Sequence, residues 1–315
     1  MKKVVYVTGC LGFIGSHVTK HCLIQGWNVI GVDKITYAAN EDLLPSFLSN
    51  KNFKFIKEDI NELKFLYDCD YVINCAAETH VDNSIMNSTE FLSSNINGVY
   101  NLLELIKTKR KFKMPILLHF STDEVYGDIE IGSHKESDLV KPSNPYSATK
   151  ASADMLILSW NRTFGVPYII VRPTNNYGIG QNPEKLIPKA CKYLQLERKI
   201  PVHEKGLPRR TWLHVNDTSR AIIHIINSAI ENEIYNISGN YEDSNINVVQ
   251  KILNIYFQKE MNINMFVNFE YTRPGQDVRY AIDDSKLKNL GWNPIENFDE
   301  ELIKIVEYNK NNFIW

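Results

Sequence analysis

A short apolar run, Lys3–Thr8, ends in Gly9-Cys10-Leu11-Gly12-Phe13-Ile14-Gly15 and passes at once into a helical pattern. No other feature constrains the fold as much. The first glycine allows a tight turn, the second lets backbone approach a pyrophosphate, and the third lets the helix pack on the strand. Amides at the helix N-terminus then meet the phosphate charge. Gly9, Gly12, Phe13, Ile14 and Gly15 are therefore the candidate pyrophosphate contacts. A ligand-free Gly-rich turn shares the local pattern. Here the context is a preceding strand, a following helix and an acid, Asp33, ending the next apolar run. A carboxylate there accepts from ribose hydroxyls and repels a 2′-phosphate, so NAD rather than NADP is expected.

Strand and helix patterns alternate through the first half of the chain. Lys3–Thr8, Trp27–Val32, Phe53–Ile56, Tyr71–Asn74, Ile116–Phe120 and Tyr168–Arg172 read as strands. Ile14–Gln25, Ser88–Lys109 and Tyr146–Phe164 read as helices between them. Near-continuous apolar strands imply a sheet buried on both faces. The expected fold is α/β: a doubly wound parallel Rossmann sheet with a smaller C-terminal substrate-binding α/β region. Residues 1–173 form the expected NAD-binding part, and 211–239 return to it, with Glu233–Ser238 as one more strand. Residues 174–315 supply the substrate side, with helices Leu186–Leu196, Asn216–Ile230 and Ile246–Gln258.

Composition removes several alternatives. The formal net charge of −2 over 315 residues gives no general pull towards nucleic acid or anionic lipid. No apolar run approaches the roughly 18–20 residues that span a bilayer. The N-terminal apolar run is too short for a secretory signal and ends in a turn instead of a cleavage site. Five cysteines, odd in number and scattered, suit a reducing cytoplasm better than a disulfide framework, and no pair has zinc spacing. No metal is expected.

Tyr146-Ser147-Ala148-Thr149-Lys150 places a phenol and an ammonium four apart on one helix face. A nearby ammonium favours phenolate, which makes Tyr146 a candidate base for a hydroxyl proton. By itself the spacing equally describes a solvated face. It gains force from Ser121-Thr122-Asp123-Glu124-Val125-Tyr126-Gly127, which follows the fifth strand at the edge where such sheets bind ligands. Thr122 adds a hydroxyl, and Asp123 and Glu124 add two adjacent carboxyls suited to paired acid and base work. A merely polar loop with Glu124 solvated is the plain alternative. Ala76 and Ala77 follow the fourth strand, where small residues let a nicotinamide lie against the sheet edge; tight packing explains them as well. Asp59-Ile60, at the end of the third strand, is placed to meet adenine, although a strand-ending Asp needs no ligand.

With these residues in view, the chain resembles the extended short-chain dehydrogenase/reductase superfamily, and within it the nucleotide-sugar 4,6-dehydratases of the dTDP-glucose and UDP-glucose type. The likeness runs through Asp33-Lys34-Ile35-Thr36-Tyr37-Ala38, Ala76-Ala77-Glu78-Thr79-His80-Val81-Asp82, Ser121–Gly127, Asn175-Asn176-Tyr177-Gly178, Pro183-Glu184-Lys185-Leu186-Ile187-Pro188 and Arg273-Pro274-Gly275. The Thr-Asp-Glu triplet is its specific signal. Epimerases and decarboxylases, the alternatives in the same superfamily, share Tyr-Lys but usually lack this acid pair; a non-catalytic NAD sensor is a remote reading.

The resemblance implies oxidation at carbon 4 by NAD, loss of water and return of hydride to carbon 6. It assigns Tyr146 to the 4-hydroxyl proton, Glu124 to the carbon-5 proton and Asp123 to the departing carbon-6 hydroxyl. Asp123 must then hold a proton near neutral pH. Lys150 reaches the nicotinamide ribose, and Lys34 and Thr36 join the cofactor contacts. The resemblance places Thr122, Asn175, Glu184, Lys185, Leu186, Pro201, His203 and Asn245 around the nucleotide sugar, with Arg210 and Arg273 as diphosphate clamps. His80 and Asp82 are expected to hold their loop. Two residues depart from the usual pattern. Asn83 replaces an Arg, and His203 stands where dTDP-type members commonly carry Tyr, which leans the base towards UDP. Helices Ser88–Lys109 and Tyr146–Phe164 are expected to build a homodimer through a four-helix bundle, and rhamnose-type sugar synthesis is the implied setting.

Overall fold

The structure, a computed structural model, describes residues 2–111, 113–228 and 230–312. Met1 of the N-terminal segment, Ala229 of the expected helix Asn216–Ile230, Phe112 and residues 313–315 lie outside it. Among the described residues seven strands form the main sheet: β1 Val4–Thr8, β2 Asn28–Asp33, β3 Phe53–Lys57, β4 Tyr71–Asn74, β5 Ile116–Phe120, β6 Tyr168–Pro173 and β10 Glu233–Ile237. Their spatial order is β10-β6-β5-β4-β1-β2-β3, and each neighbouring pair is parallel. Strand order reverses between β1 and β4, so a crevice opens at their carboxyl ends, the usual ligand position in such sheets.

The strands bury both faces. Val5 and Val7 join one core cluster with helix Phe13–Ile24 and helix Val215–Ser228, through Val18, Cys22, Ile222 and Ile225. Tyr6 points the other way, into a second cluster with Leu102, Leu103, Ile106, Ala153 and Ile157. This alternation follows the two-residue period of a strand. It forces every second strand residue against a helix on each side.

After β6 the chain builds smaller sheets. β7 (Asn175–Tyr177) and β11 (Tyr241–Ser244) flank β9 (Arg209–His214), and β8 (Ile200–His203) pairs with β12 (Val267–Tyr271). Tyr177, Trp212, Ile252, Leu253, Phe298 and Leu302 fill the core beneath helices Leu186–Gln195, Asn245–Phe257 and Phe298–Asn311. β9 belongs to this second region, so the return to the main sheet starts with helix Val215–Ser228.

Expected and observed helices differ most at Ser88–Lys109. Thr89–Phe91 runs into a widened π turn, Leu92–Asn97, before α-helix resumes over Gly98–Thr108. Wide turns of this kind gather at functional sites. Here it delivers Asn95, whose Oδ1 accepts from the Glu78 N–H at 2.9 Å while Nδ2 donates to the Glu78 carbonyl at 3.0 Å and to Thr149 Oγ1 at 3.0 Å.

Candidate active site

The crevice begins at the Gly-rich turn. Gly9 has φ +66°, and a Cβ there would lie 2.9 Å from the Ala76 backbone. The turn and the end of β4 thus approach too closely for a side chain, leaving a backbone-walled cradle. Asp33 ends β2, nearly buried; its Oδ2 accepts from the Leu11 N–H at 2.9 Å and its Oδ1 from the Ile35 N–H at 2.8 Å. The carboxylate therefore ties the end of β2 to the turn. Lys34, Thr36, Asp59, Ile60, Ala76 and Ala77 line the same cavity as Asp33, Gly9 and Gly12. Asp59 lies two residues beyond β3, not at its end, and pairs with Lys34 at 3.1 Å. Gly12 and Ala77 also line a second cavity of about 240 Å³ with Phe13, Ile14, Gly15, Thr122, Asp123, Tyr146 and Asn175. One groove thus runs from Asp33 to the candidate catalytic residues. Its length, small-residue walls and anion-receptive helix terminus suit a dinucleotide.

Thr122, Asp123 and Glu124 sit on a turn of 3₁₀ helix after β5, where the Thr122 hydroxyl accepts from the Glu124 N–H at 3.3 Å. Asp123 is 3% exposed. Its Oδ1 accepts from Thr122 Oγ1 at 3.2 Å, and its Oδ2 is buried with no partner among the described residues. Burial and the neighbouring Glu124 charge push Asp123 up to about 7. Glu124 is less enclosed, and its Oε2 accepts from Asn144 Nδ2 and from the Tyr280 hydroxyl, each at 3.4 Å.

Tyr146 and Lys150 lie on helix Pro145–Phe164, which starts with a capping box at Asn144 and Ser147. The cap fixes the helix start, and the Tyr146 N–H donates to Ser84 Oγ at 3.2 Å. The Tyr146 hydroxyl neighbours that of Thr122. The expected action of the Lys150 ammonium on the Tyr146 phenol needs correction here. Lys150 points its amine at His119 Nε2, 3.3 Å away, and makes no hydrogen bond to Tyr146. The Tyr146 phenol is raised, not lowered, by burial and then by the charges of Glu124 and Asp123. Spacing on a helix face places two side chains on one side; it does not aim their tips.

The expected sugar-nucleotide residues fall into two groups. Asn175, Glu184 and Lys185 line the catalytic cavity. Asn175 opens β7 instead of ending β6, and its Oδ1 is buried without a partner among the described residues. Glu184 accepts from the Tyr37 hydroxyl at 3.1 Å, and Lys185 Nζ donates to the Thr79 carbonyl at 3.0 Å. Both contacts cross the groove. Leu186 starts the following helix.

The second group does not line that cavity. Pro201 and His203 are on β8, and His203 Nε2 is 3.5 Å from Asp82 Oδ2. Arg273 donates from Nη1 to Asp82 Oδ1 at 3.2 Å. His203, then Arg273, hold the Asp82 carboxyl well below the usual range despite its burial. His80 accepts from the Asn83 N–H at 3.4 Å as a helix cap. Arg210 is buried, donates to the carbonyls of Arg209 at 2.7 Å and Asp277 at 3.0 Å, and lies 4.2 Å from the Tyr280 ring centre. Asn245 starts its helix beside β9, its N–H donating to the Pro208 carbonyl at 3.0 Å.

Tyr280, like Asn245 a weaker pocket candidate from the sequence, faces the carboxyl pair; sequence reading missed Asn144, Asp277, Asn95 and His119 as members of the site. The Tyr280 hydroxyl also lies against Asp277 Oδ2, which Ser143 Oγ reaches as well, so the single Tyr280 proton is shared between the Glu124 and Asp277 carboxyls. Proximity to the Tyr-x-x-x-Lys helix start could have flagged Asn144; the other contacts join distant segments.

A dinucleotide groove lined at its far end by Thr122, Asp123 and Tyr146, on the elements that also carry Glu124 and Lys150, defines an enzyme of the extended short-chain dehydrogenase/reductase class. The family described as GDP-mannose 4,6 dehydratase matches residues 6–305, and the chain belongs to it. A probable dTDP-glucose 4,6-dehydratase of Sinorhizobium fredii is 38% identical over 99% of this chain and 94% of its own. A trifunctional UDP-glucose 4,6-dehydratase of Arabidopsis thaliana is 37% identical over 99% of this chain and 48% of its own. The crystal structure of the dTDP-glucose 4,6-dehydratase DesIV from Streptomyces venezuelae, with NAD and TYD bound, superposes with a TM-score of 0.91 at 33% identity, covering 98% of this chain and 97% of that one.

Proposed function

We propose that this chain is an NAD-dependent nucleotide-sugar 4,6-dehydratase that converts dTDP- or UDP-glucose into the 4-keto-6-deoxy sugar nucleotide. The observation that carries the reading is the buried Asp123 beside the less enclosed Glu124, both next to Tyr146. Oxidation and re-reduction alone require no such pair. Bound NAD supplies the hydride acceptor for carbon 4, the hydride donor for carbon 6 and a positive charge that favours the Tyr146 phenolate.

Tyr146 takes the proton of the 4-hydroxyl, with Thr122 beside its oxygen. The 4-ketone acidifies carbon 5, and Glu124, held by Asn144 and Tyr280, takes that proton. Asp123, with its pKa raised to about 7, holds a proton near neutral pH and delivers it to the carbon-6 oxygen as water leaves, and Glu124 returns its proton to carbon 5 when carbon 6 is reduced. Asn175, Glu184 and Lys185 border the sugar, and Arg210, Arg273, Pro201, His203, Leu186 and Asn245 the nucleotide. Asp33, Lys34, Thr36, Asp59 and Ile60 border the adenosine.

The outer faces of the two long helices support a homodimer through a four-helix bundle. Leu92, Tyr100 and Met155 are each close to half exposed there, beside a shallow apolar groove lined by Ile96, Val140 and Ala151. No helix among the described residues is long and apolar enough to cross a membrane, and the five cysteines are free, which suits a cytoplasmic enzyme. A 4-keto-6-deoxy product suits rhamnose-type sugar synthesis. Mass analysis of product from UDP-glucose and from dTDP-glucose tests the reading. Loss of one water is expected; product of unchanged mass with galactose configuration would return the epimerase alternative.

A further inference from the structure

We propose that His119 is a positioning residue for Lys150, anchoring the lysine amine from within the sheet and acting through it on the cofactor; the kinetic part rests on the dehydratase reading. His119 is the penultimate residue of β5, at its carboxyl end, and is 0% exposed. A buried imidazole in an apolar layer is costly unless both nitrogens are engaged. Here both are. Its Nδ1 is 3.0 Å from Asn74 Nδ2, and its Nε2 is 3.3 Å from Lys150 Nζ. Asn74 in turn meets Thr8 Oγ1 at 2.6 Å. Thr8, Asn74, His119 and Lys150 therefore form one buried chain across the carboxyl ends of β1, β4 and β5 to the catalytic helix.

The heavy atoms admit two proton arrangements. With the Asn74 oxygen towards Thr8, His119 Nδ1 accepts from the amide, and Nε2–H suits an uncharged lysine amine. With the amide turned over, Nδ1–H donates to the Asn74 oxygen, and Nε2 accepts from a lysine ammonium. The imidazole stays neutral in both. Its own titration is pushed well below the ordinary histidine range, first by burial and then by the Lys150 charge. The anchor thus holds Nζ in either charge state of Lys150. The other titrating groups facing that amine are Asp154, one turn along the helix and paired with Arg172, and Cys75 at the end of β4. Burial lowers Lys150 to about 8, so loss of an acceptor matters near working pH.

His119→Phe keeps ring volume and removes both nitrogens. His119→Gln keeps a group that both donates and accepts. In the NAD-loaded enzyme, His119→Phe is expected to lower kcat by about 10–100-fold, with the sugar-nucleotide KM within about threefold, because the lysine is misplaced and not lost. The alkaline limb of its pH profile should move to lower pH by about half a unit or more, since the buried ammonium loses an acceptor. Its NAD Kd by calorimetry should rise about fivefold or more, and His119→Gln should restore all three readouts to within about threefold of wild type. If His119→Phe does not fold, Asn74→Ser, which removes only the Nδ1 partner, must give the same kcat loss at constant KM. Unmoved kcat, pH limb and NAD Kd in the Phe variant overturn the proposal. So does equal damage in Phe and Gln that tracks a fall in melting temperature. NAD affinity is read without sugar, so a wild type that removes no water sinks the dehydratase reading while the anchor is still decided.

Discussion

Asp123 and Glu124 are consecutive residues in opposite settings: the Asp123 carboxyl is sealed with one unpartnered oxygen, whereas Glu124 reaches partly exposed space and leans on Asn144 and Tyr280. Burial and the neighbouring Glu124 charge favour a proton on Asp123, which suits it to act as an acid beside a carboxyl that reaches partly exposed space. Asp123→Asn and Glu124→Gln should both spare oxidation at carbon 4 and slow water loss by about 10²–10⁴-fold. Rapid quench with mass analysis should show a 4-keto sugar nucleotide building up in Asp123→Asn. Carbon-5 exchange with deuterated solvent should fall in Glu124→Gln. Wild-type dehydration by both variants would refute the pair.

The same raised pKa has a consequence for stability. The folded value of about 7 lies above the ordinary 3.8, so folding favours the protonated form. That contribution is fully present below about pH 3.8 and is lost as pH rises through about 7. Asp123→Asn, neutral at all pH, should therefore raise the melting temperature at pH 8 more than at pH 5. Equal shifts at the two pH values would mean that the carboxyl is not destabilised by its site.

The parallel sheet was legible because strands buried on both faces leave near-continuous apolar runs, as in Val4–Thr8 and Tyr168–Pro173. The Gly-rich turn was legible because each glycine answers a local steric demand. What escaped is non-local. The π turn at Leu92–Asn97 exists to bring Asn95 onto Glu78 and Thr149, and only a polar patch in the helix, Ser93-Ser94-Asn95, hints at it. Helix Phe298–Asn311 was overlooked although Asn297 caps it and three acids fill its first turn. Arg273 is expected as a diphosphate clamp, but its carboxylate partner, Asp82, lies far away in sequence and was not foreseen. Partners of that kind have no period to read.

Asn95 makes its three bonds from one amide, so Asn95→Leu should cost about 1–3 kcal/mol by leaving the Glu78 backbone unpaired. The loss is measurable by chemical denaturation. An unchanged midpoint would show that water replaces the amide without penalty.

Asp33 bonds two backbone N–H groups while lining the adenosine end of the groove. Its charge should keep a 2′-phosphate out, so the purified protein should carry NAD, and Asp33→Asn should narrow the NAD-over-NADP preference by about tenfold or more. Denaturation and identification of the released dinucleotide test the first point; calorimetry with each dinucleotide tests the second. Release of mainly NADP by the wild type would overturn this reading of Asp33.

Tyr146→Phe isolates the first proton transfer. The ring packs against Phe91, with centroids 6.4 Å apart, and joins a small cluster with Val81, so a phenylalanine ring preserves the packing. The bond from the Tyr146 N–H to Ser84 also survives, because it uses the backbone. Only the hydroxyl disappears, and its neighbour Thr122 keeps its bond to Asp123. The 4-hydroxyl proton then has no acceptor of suitable strength, since Asp123 and Glu124 face the later steps at carbons 5 and 6. Sugar-nucleotide binding should stay close to wild type, while formation of reduced nicotinamide in a single turnover should fall by about 10²–10⁴-fold. Stopped-flow absorbance reads that step before any water is lost. The variant should also leave the carboxyl pair able to dehydrate a 4-keto sugar nucleotide supplied directly, as judged by carbon-5 exchange. Wild-type appearance of the reduced cofactor would remove Tyr146 from its role as base.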